Sequence, residues 1–100
     1  MSLDAITETI RAKVAQIPPF GHTVLFDLGD AGVVHLDGVA ATAMVTNERR
    51  EAETTLTLSA AALEGLLDGS KSPTFAYMTG ELKIAGSMGV ALKLNSLFED

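Results

Sequence analysis

Cysteine and tryptophan are absent from the sequence, and histidine occurs only twice, as His22 and His35. Without cysteine there are no disulfides, thiolate metal sites or cysteine nucleophiles, a composition that fits a reducing compartment. No apolar run approaches the ~20 residues needed to span a bilayer. Asp4 and Glu8 stand where a secretory leader would be basic, and no apolar segment follows them. The final residues, Leu97-Phe98-Glu99-Asp100, are not a peroxisomal tripeptide. A cytoplasmic location is therefore expected. Basic residues are scarce as well: seven stand against thirteen acidic ones, for a formal net charge of −6, and only Arg49 and Arg50 are adjacent. A surface that tracks phosphates needs clustered Lys and Arg. Nucleic acid is thus not an expected partner, and attraction to an anionic membrane is weak for the same reason.

What remains is aliphatic. Hydrophobic residues make up 47% of the chain, but aromatics amount to four Phe and one Tyr. Such a composition is compatible with a core that is not solidly filled. One hundred residues make one domain, residues 1–100, which buries roughly two-thirds of its unfolded surface.

Residues 2–17 read as an amphipathic helix. Ser2 caps it, and Leu3, Ile6, Ile10, Val14 and Ile17 recur at three- and four-residue steps. Pro18 and Pro19 stop it, since neither ring carries an N–H. From His22 the period changes to two. Three strands are expected over residues 23–28, 33–36 and 39–46, joined by a turn centred on Asp30-Ala31 and by a type I′ hairpin at Asp37-Gly38. That first turn pairs Leu28 with Val33 and Phe26 with His35. It puts Leu25, Val34, Leu36, Val39, Ala41, Ala43 and Val45 on one face, and Val24, Phe26, Leu28, Val33 and Met44 on the other. Both faces are then largely apolar, so the sheet is covered on more than one side or abuts a ligand. A charged link, residues 47–51, leads to a fourth strand over residues 53–58. Ser59 caps a short helix with Leu63, Leu66 and Leu67 inward, which Gly69 closes.

The stretch from Pro73 to Phe98 organises the rest. It breaks at Gly80, alternates briefly with Leu82 and Ile84 on one side of Lys83, breaks again at Gly86, and ends as an apolar helix. It is expected to form one wall and the lid of an apolar cavity. Candidate chemistry elsewhere is thin. His35 and Asp37 share a strand face two residues apart, but nothing supplies further metal ligands at recognisable spacing, and both read as ordinary strand-surface residues. Ser59 and Ser87 stand where helix caps belong, outside any Gly-x-Ser-x-Gly turn. The residues alone give a soluble α+β domain without a catalytic constellation. A binding or carrier role is expected, not an enzyme, and no cofactor or metal.

Residues 52–97 resemble the sterol carrier protein type 2 family. The elements that carry the resemblance are the alternating strand Thr54 to Ser59, the Leu-rich helix Leu63 to Gly69, and the aromatic segment Phe75 to Gly80. Glu81 to Gly86 with Met88, and the helix motif Ala91 to Leu94, complete it. The resemblance implies an N-terminal helix and a five-stranded mixed sheet, made of a three-strand antiparallel meander and a crossover to a fourth strand. Helices cover the sheet around an apolar tunnel. It implies a non-enzymatic lipid binding or transfer protein holding a fatty acid, a fatty acyl-CoA, a sterol-like or another apolar ligand. Sterol binding in particular is not carried over to this chain. The candidate lining is Phe26, Phe75, Met78, Leu82, Ile84, Met88, Leu92 and Phe98. The partners implied are a lipid or fatty acyl ligand and, transiently, a membrane or an enzyme. The alternative function is an accessory subunit that docks on an enzyme of lipid or quinone metabolism and presents ligand to it.

Overall fold

The computed structural model of the protein describes residues 2–16, 21–39, 43–94 and 98. The chain runs through helix α1 (Leu3–Val14), strands β1 (Thr23–Asp27), β2 (Val33–Asp37), β3 (Met44–Thr46) and β4 (Thr54–Thr57), and helices α2 (Ala60–Asp68) and α3 (Pro73–Thr79). Strand β5 (Lys83–Gly86) and helix α4 (Met88–Lys93) follow. The five strands form one sheet in the order β3-β2-β1-β4-β5. The meander β1-β2-β3 is antiparallel, β4 lies parallel to β1, and β5 returns antiparallel at the edge. This is the α+β arrangement that the resemblance implies.

The helices begin where short hydroxyl side chains can take up free N–H groups. Ser2, Ser59, Ser72 and Ser87 each accept a hydrogen bond from a backbone N–H three residues on. On α1, Ile6, Ile10 and Val14 are buried as the stripe predicts, with Leu3 half-buried; Ile17 and the two prolines lie outside the described residues.

The pairing of β1 with β2 is shifted by one residue from the expectation. Phe26 faces Val34 and Asp27 faces Val33, because a 3-10 turn, Gly29–Ala31, joins the strands and the Leu28 N–H donates to the Gly32 carbonyl. In a sheet a one-residue slip moves every side chain to the other face. The observed register gathers Val24, Phe26, Leu28, Val34, Leu36, Val45 and Leu56 on one face, with Ile84 at its edge. The expected division of apolar residues between two faces is thereby corrected. Against this face pack α1, α2 and α4, so the core lies on one side of the sheet.

The second hairpin also differs. Gly38 donates its N–H to the His22 carbonyl and accepts from the Gly21 N–H, which prolongs the β1–β2 ladder by one step. No turn forms there, and β3 starts only at Met44, where it pairs with Asp37. Val39 is exposed and outside any strand, while Ala40 and Ala41 lie outside the described residues. The charged link returns across the opposite face of the sheet. There the Glu51 carbonyl lies 3.1 Å from His35 Nε2, and Arg49 pairs with Asp27. Leu25, Val33 and His35 are buried on that face.

Candidate functional site

Between α3, the β4–β5 edge of the sheet and α4 lies a cavity of about 220 Å³. Its lining is Leu56 on β4, Leu82 and Ile84 at β5, Pro73, Thr74 and Tyr77 on α3, Met88, Ala91 and Leu92 on α4, and Phe98. Local rules explain how the walls are set. Pro73 occupies the first turn of α3, where its missing N–H does no harm. The helical period then turns Pro73, Thr74 and Tyr77 to the cavity and buries Ala76 against the core. Gly80, at φ 84°, ends α3, and the Leu82 N–H donates to the Ala76 carbonyl, fixing the step into β5.

Tyr77, Met88 and Leu92 line the cavity yet are 47%, 44% and 63% exposed. The mouth therefore lies between α3 and α4. Among the described residues no charged side chain lines the cavity, and the Thr74 and Tyr77 hydroxyls are the polar side-chain groups they place in it.

Helix α4 is held to the sheet at both ends. At its start, the Thr54 hydroxyl donates to the Ser87 carbonyl and the Ser87 N–H to the Glu53 carbonyl. Gly86 makes this approach feasible: at φ 102° a Cβ would sit 2.2 Å from the Glu53 carbonyl oxygen. At its end, Lys93 Nζ lies 3.0 Å from His22 Nε2, and His22 Nδ1 lies 3.0 Å from Glu53 Oε2. The Thr23 N–H beside Glu53 holds its carboxyl below the usual glutamate range, helped by His22 and by the charge of Lys93.

Of the eight residues expected at the lining, Leu82, Ile84, Met88, Leu92 and Phe98 border the cavity. The other three do not. Phe26 is fully buried in the middle of the core, and Phe75 and Met78 are 64% and 78% exposed on α3. Phe75 and Met78 are largely exposed and do not border the cavity, which α3 lines with Pro73, Thr74 and Tyr77. Leu56, Pro73, Thr74, Tyr77 and Ala91 border the cavity without having been expected there. For the α3 residues the missed signal is Ala76, the small residue that marks the packed side of that helix. His35 and Asp37 act separately: His35 is buried rather than at the surface, and the Asp37 carboxylate accepts from the Val39 N–H. Among the described residues no group of three or more His, Asp or Glu side chains is placed to hold a metal ion. Nor is any helix among them long and apolar enough to cross a membrane.

These features define a class: a small α+β domain whose helices cover one face of a mixed sheet and enclose an apolar cavity at its edge. The chain belongs to the SCP-2 sterol transfer family, which it matches over residues 3–99. It is 44% identical over 48 residues to sterol carrier protein 2 of Rattus norvegicus, a match that covers 48% of this chain but only 9% of the rat protein. Among solved structures, it superposes on sterol carrier protein-2 from Aedes aegypti in complex with palmitate, a C16 fatty acid, with a TM-score of 0.76. Identity there is 18%, and the match covers 98% of this chain and 96% of the other. A UbiJ-SCP2 ubiquinone synthesis protein gives a TM-score of 0.73 at 19% identity, covering 95% and 90%. At these identities the structural likenesses show a shared fold.

Proposed function

We propose that residues 1–100 form one lipid-carrier domain that holds the acyl chain of a fatty acid or fatty acyl thioester between α3, β5 and α4, without catalysing a reaction on it. The observation that carries this reading is the cavity, whose described lining is apolar except for two hydroxyls and which opens through exposed Tyr77, Met88 and Leu92. Family membership and a palmitate-bound neighbour of the same fold support it. Leu82, Ile84, Met88, Leu92 and Phe98 contact the chain, and Tyr77 and Thr74 meet its polar end. Phe26 acts only through the core behind them.

Magnitudes refine the mode of binding. Compared with the ~30 Å³ share of a liquid water, the volume of about 220 Å³ takes on the order of seven methylene-sized groups. At ~0.8 kcal/mol each, their burial gives at most about 6 kcal/mol, a dissociation constant near 0.1 mM. Micromolar affinity requires further methylenes to be covered as α3 and α4 part, and flexible Met88 and Leu92 at the mouth suit that adaptation.

Titration with a fluorescent fatty acid tests the reading. Micromolar binding is expected, weakened tenfold or more by Met88→Trp or Leu92→Trp; failure to bind any acyl ligand at micromolar protein refutes it. Native mass spectrometry of the protein purified from its own host would identify a lipid carried with it. Exposed Phe75 and Met78, which do not border the cavity, favour a second reading, an accessory subunit docked on an enzyme of lipid or quinone metabolism. Under that reading Phe75→Ser with Met78→Ser abolishes a stable complex in pull-down and leaves fatty acid affinity unchanged.

A further inference from the structure

Of the four methionines, Met44 on β3, Met78 on α3 and Met88 at the start of α4 lie among the described residues, all at exposed positions. Met88 is the least exposed of these three, yet it alone of them borders the cavity. Its side chain thus meets water on one side and, on the other, the space that takes an acyl chain. Its backbone is held in place by its neighbour. The Ser87 N–H donates to the Glu53 carbonyl, the Ser87 carbonyl accepts from the Thr54 hydroxyl, and Ser87 Oγ accepts from the Val90 N–H. A change of polarity at the Met88 sulfur is therefore felt at the mouth itself.

We infer that Met88 is a site of reversible oxidative modification, where a peroxide converts the thioether to a sulfoxide that weakens ligand binding, and where a bound chain shields the sulfur. In this step a sulfur lone pair attacks one peroxide oxygen. An S–O bond forms, the O–O bond breaks, and the proton left on the transferred oxygen passes to the departing hydroxide as water. Sulfur gives up an electron pair and the peroxide is reduced. The product is polar where the thioether was apolar, and methionine sulfoxide reductases reverse the change. Covered by a chain, the sulfoxide oxygen must find a donor or stay unpaired, and an unpaired buried polar group is costly. The side-chain donors in the described lining are the Thr74 and Tyr77 hydroxyls, which the carrier reading assigns to the polar end of the ligand. Either outcome lowers affinity. If the side chain turns to water instead, the chain loses an apolar contact at the mouth. Met44 and Met78 do not border the cavity, so the same reaction there leaves it unaltered.

The inference rests on the carrier reading, and the experiment separates the two. The protein is treated with hydrogen peroxide, with and without palmitate, and oxidation of each methionine is followed by peptide mass spectrometry. After the peroxide is removed, a fluorescent fatty acid is titrated into treated and untreated protein. Palmitate is expected to slow oxidation of Met88 several-fold and to leave the rates at Met44 and Met78 unchanged. Full conversion of Met88 should lower affinity about tenfold, the scale of covering one poorly paired polar group, and treatment with methionine sulfoxide reductases should restore it. The double variant Met44→Leu with Met78→Leu keeps the whole sensitivity to peroxide. Met88→Leu, measured against its own untreated affinity, loses that sensitivity. If untreated wild type binds no fluorescent fatty acid, the carrier reading fails and the inference with it. If it binds, but palmitate does not slow oxidation at Met88 or the loss of affinity persists in Met88→Leu, the inference is overturned and the carrier reading stands.

Discussion

Gly86 shows how much of the site hangs on single backbone positions. Its φ of 102° and the 2.2 Å approach of the Glu53 carbonyl to a built Cβ leave no room for a side chain. Gly86→Ala should destabilise the fold by at least ~2 kcal/mol, from left-handed strain and overpacking together; the midpoint of urea unfolding measures it. Glu53 carries a pH signature. Its pKa is lowered in the folded state, first by the Thr23 N–H and then by His22. It therefore contributes stability that is fully present above the unfolded-state value, about 4.3, and disappears as the pH falls through the lower folded value. Glu53→Gln should reduce stability at neutral pH and flatten the loss of stability below about pH 4.3, read from urea midpoints across that range.

At the scale of elements, α1, α2 and α4 were legible because their signals are local, whereas α3, capped by Ser72, reads in the sequence only as an aromatic segment following a loop. The Ser59 hydroxyl and the Ala62 N–H meet at 3.0 Å, three residues apart, as the spacing requires. Ser59→Ala should cost α2 about 1 kcal/mol, measured by thermal or urea unfolding. The strands were legible in existence but not in register. Alternation of apolar residues is the same for two registers one residue apart, and the choice rests on whether the connection holds two residues or three. Gly29–Ala31 forms a 3-10 turn, and that extra residue decides which face Phe26, Val34 and Leu36 share. Asp37-Gly38 has the composition of a hairpin, yet Gly38 is held in the ladder by His22 and Gly21. Pairing with β1 overrides the local turn preference.

For the molecule as a whole, the cavity couples stability to its contents. A ligand that binds the folded state alone stabilises it by ~2.7 kcal/mol at a hundredfold excess over its Kd, which raises Tm by roughly 10–20 °C in a domain of this size. Differential scanning fluorimetry with saturating fatty acid should show that shift in wild type and a much smaller one in Leu92→Trp.

By itself the sequence determined the helical stripe of α1, the caps Ser2, Ser59 and Ser87, the glycine breaks, and the apolar character of residues 73–98. Each depends on neighbours a few residues away. The family motifs added the order of the elements and the presence of a cavity. Only the tertiary structure decided that Leu82, Ile84, Met88, Leu92 and Phe98 meet around one space, while Phe75 and Met78 turn outward. It likewise decided that His22 lies between Glu53, 31 positions on, and Lys93, 71 positions on. The physical reason is the same in both cases. Which side of a helix or strand faces inward is set by what packs against it, and groups far apart in the chain become partners only when the sheet register and helix docking bring them within reach.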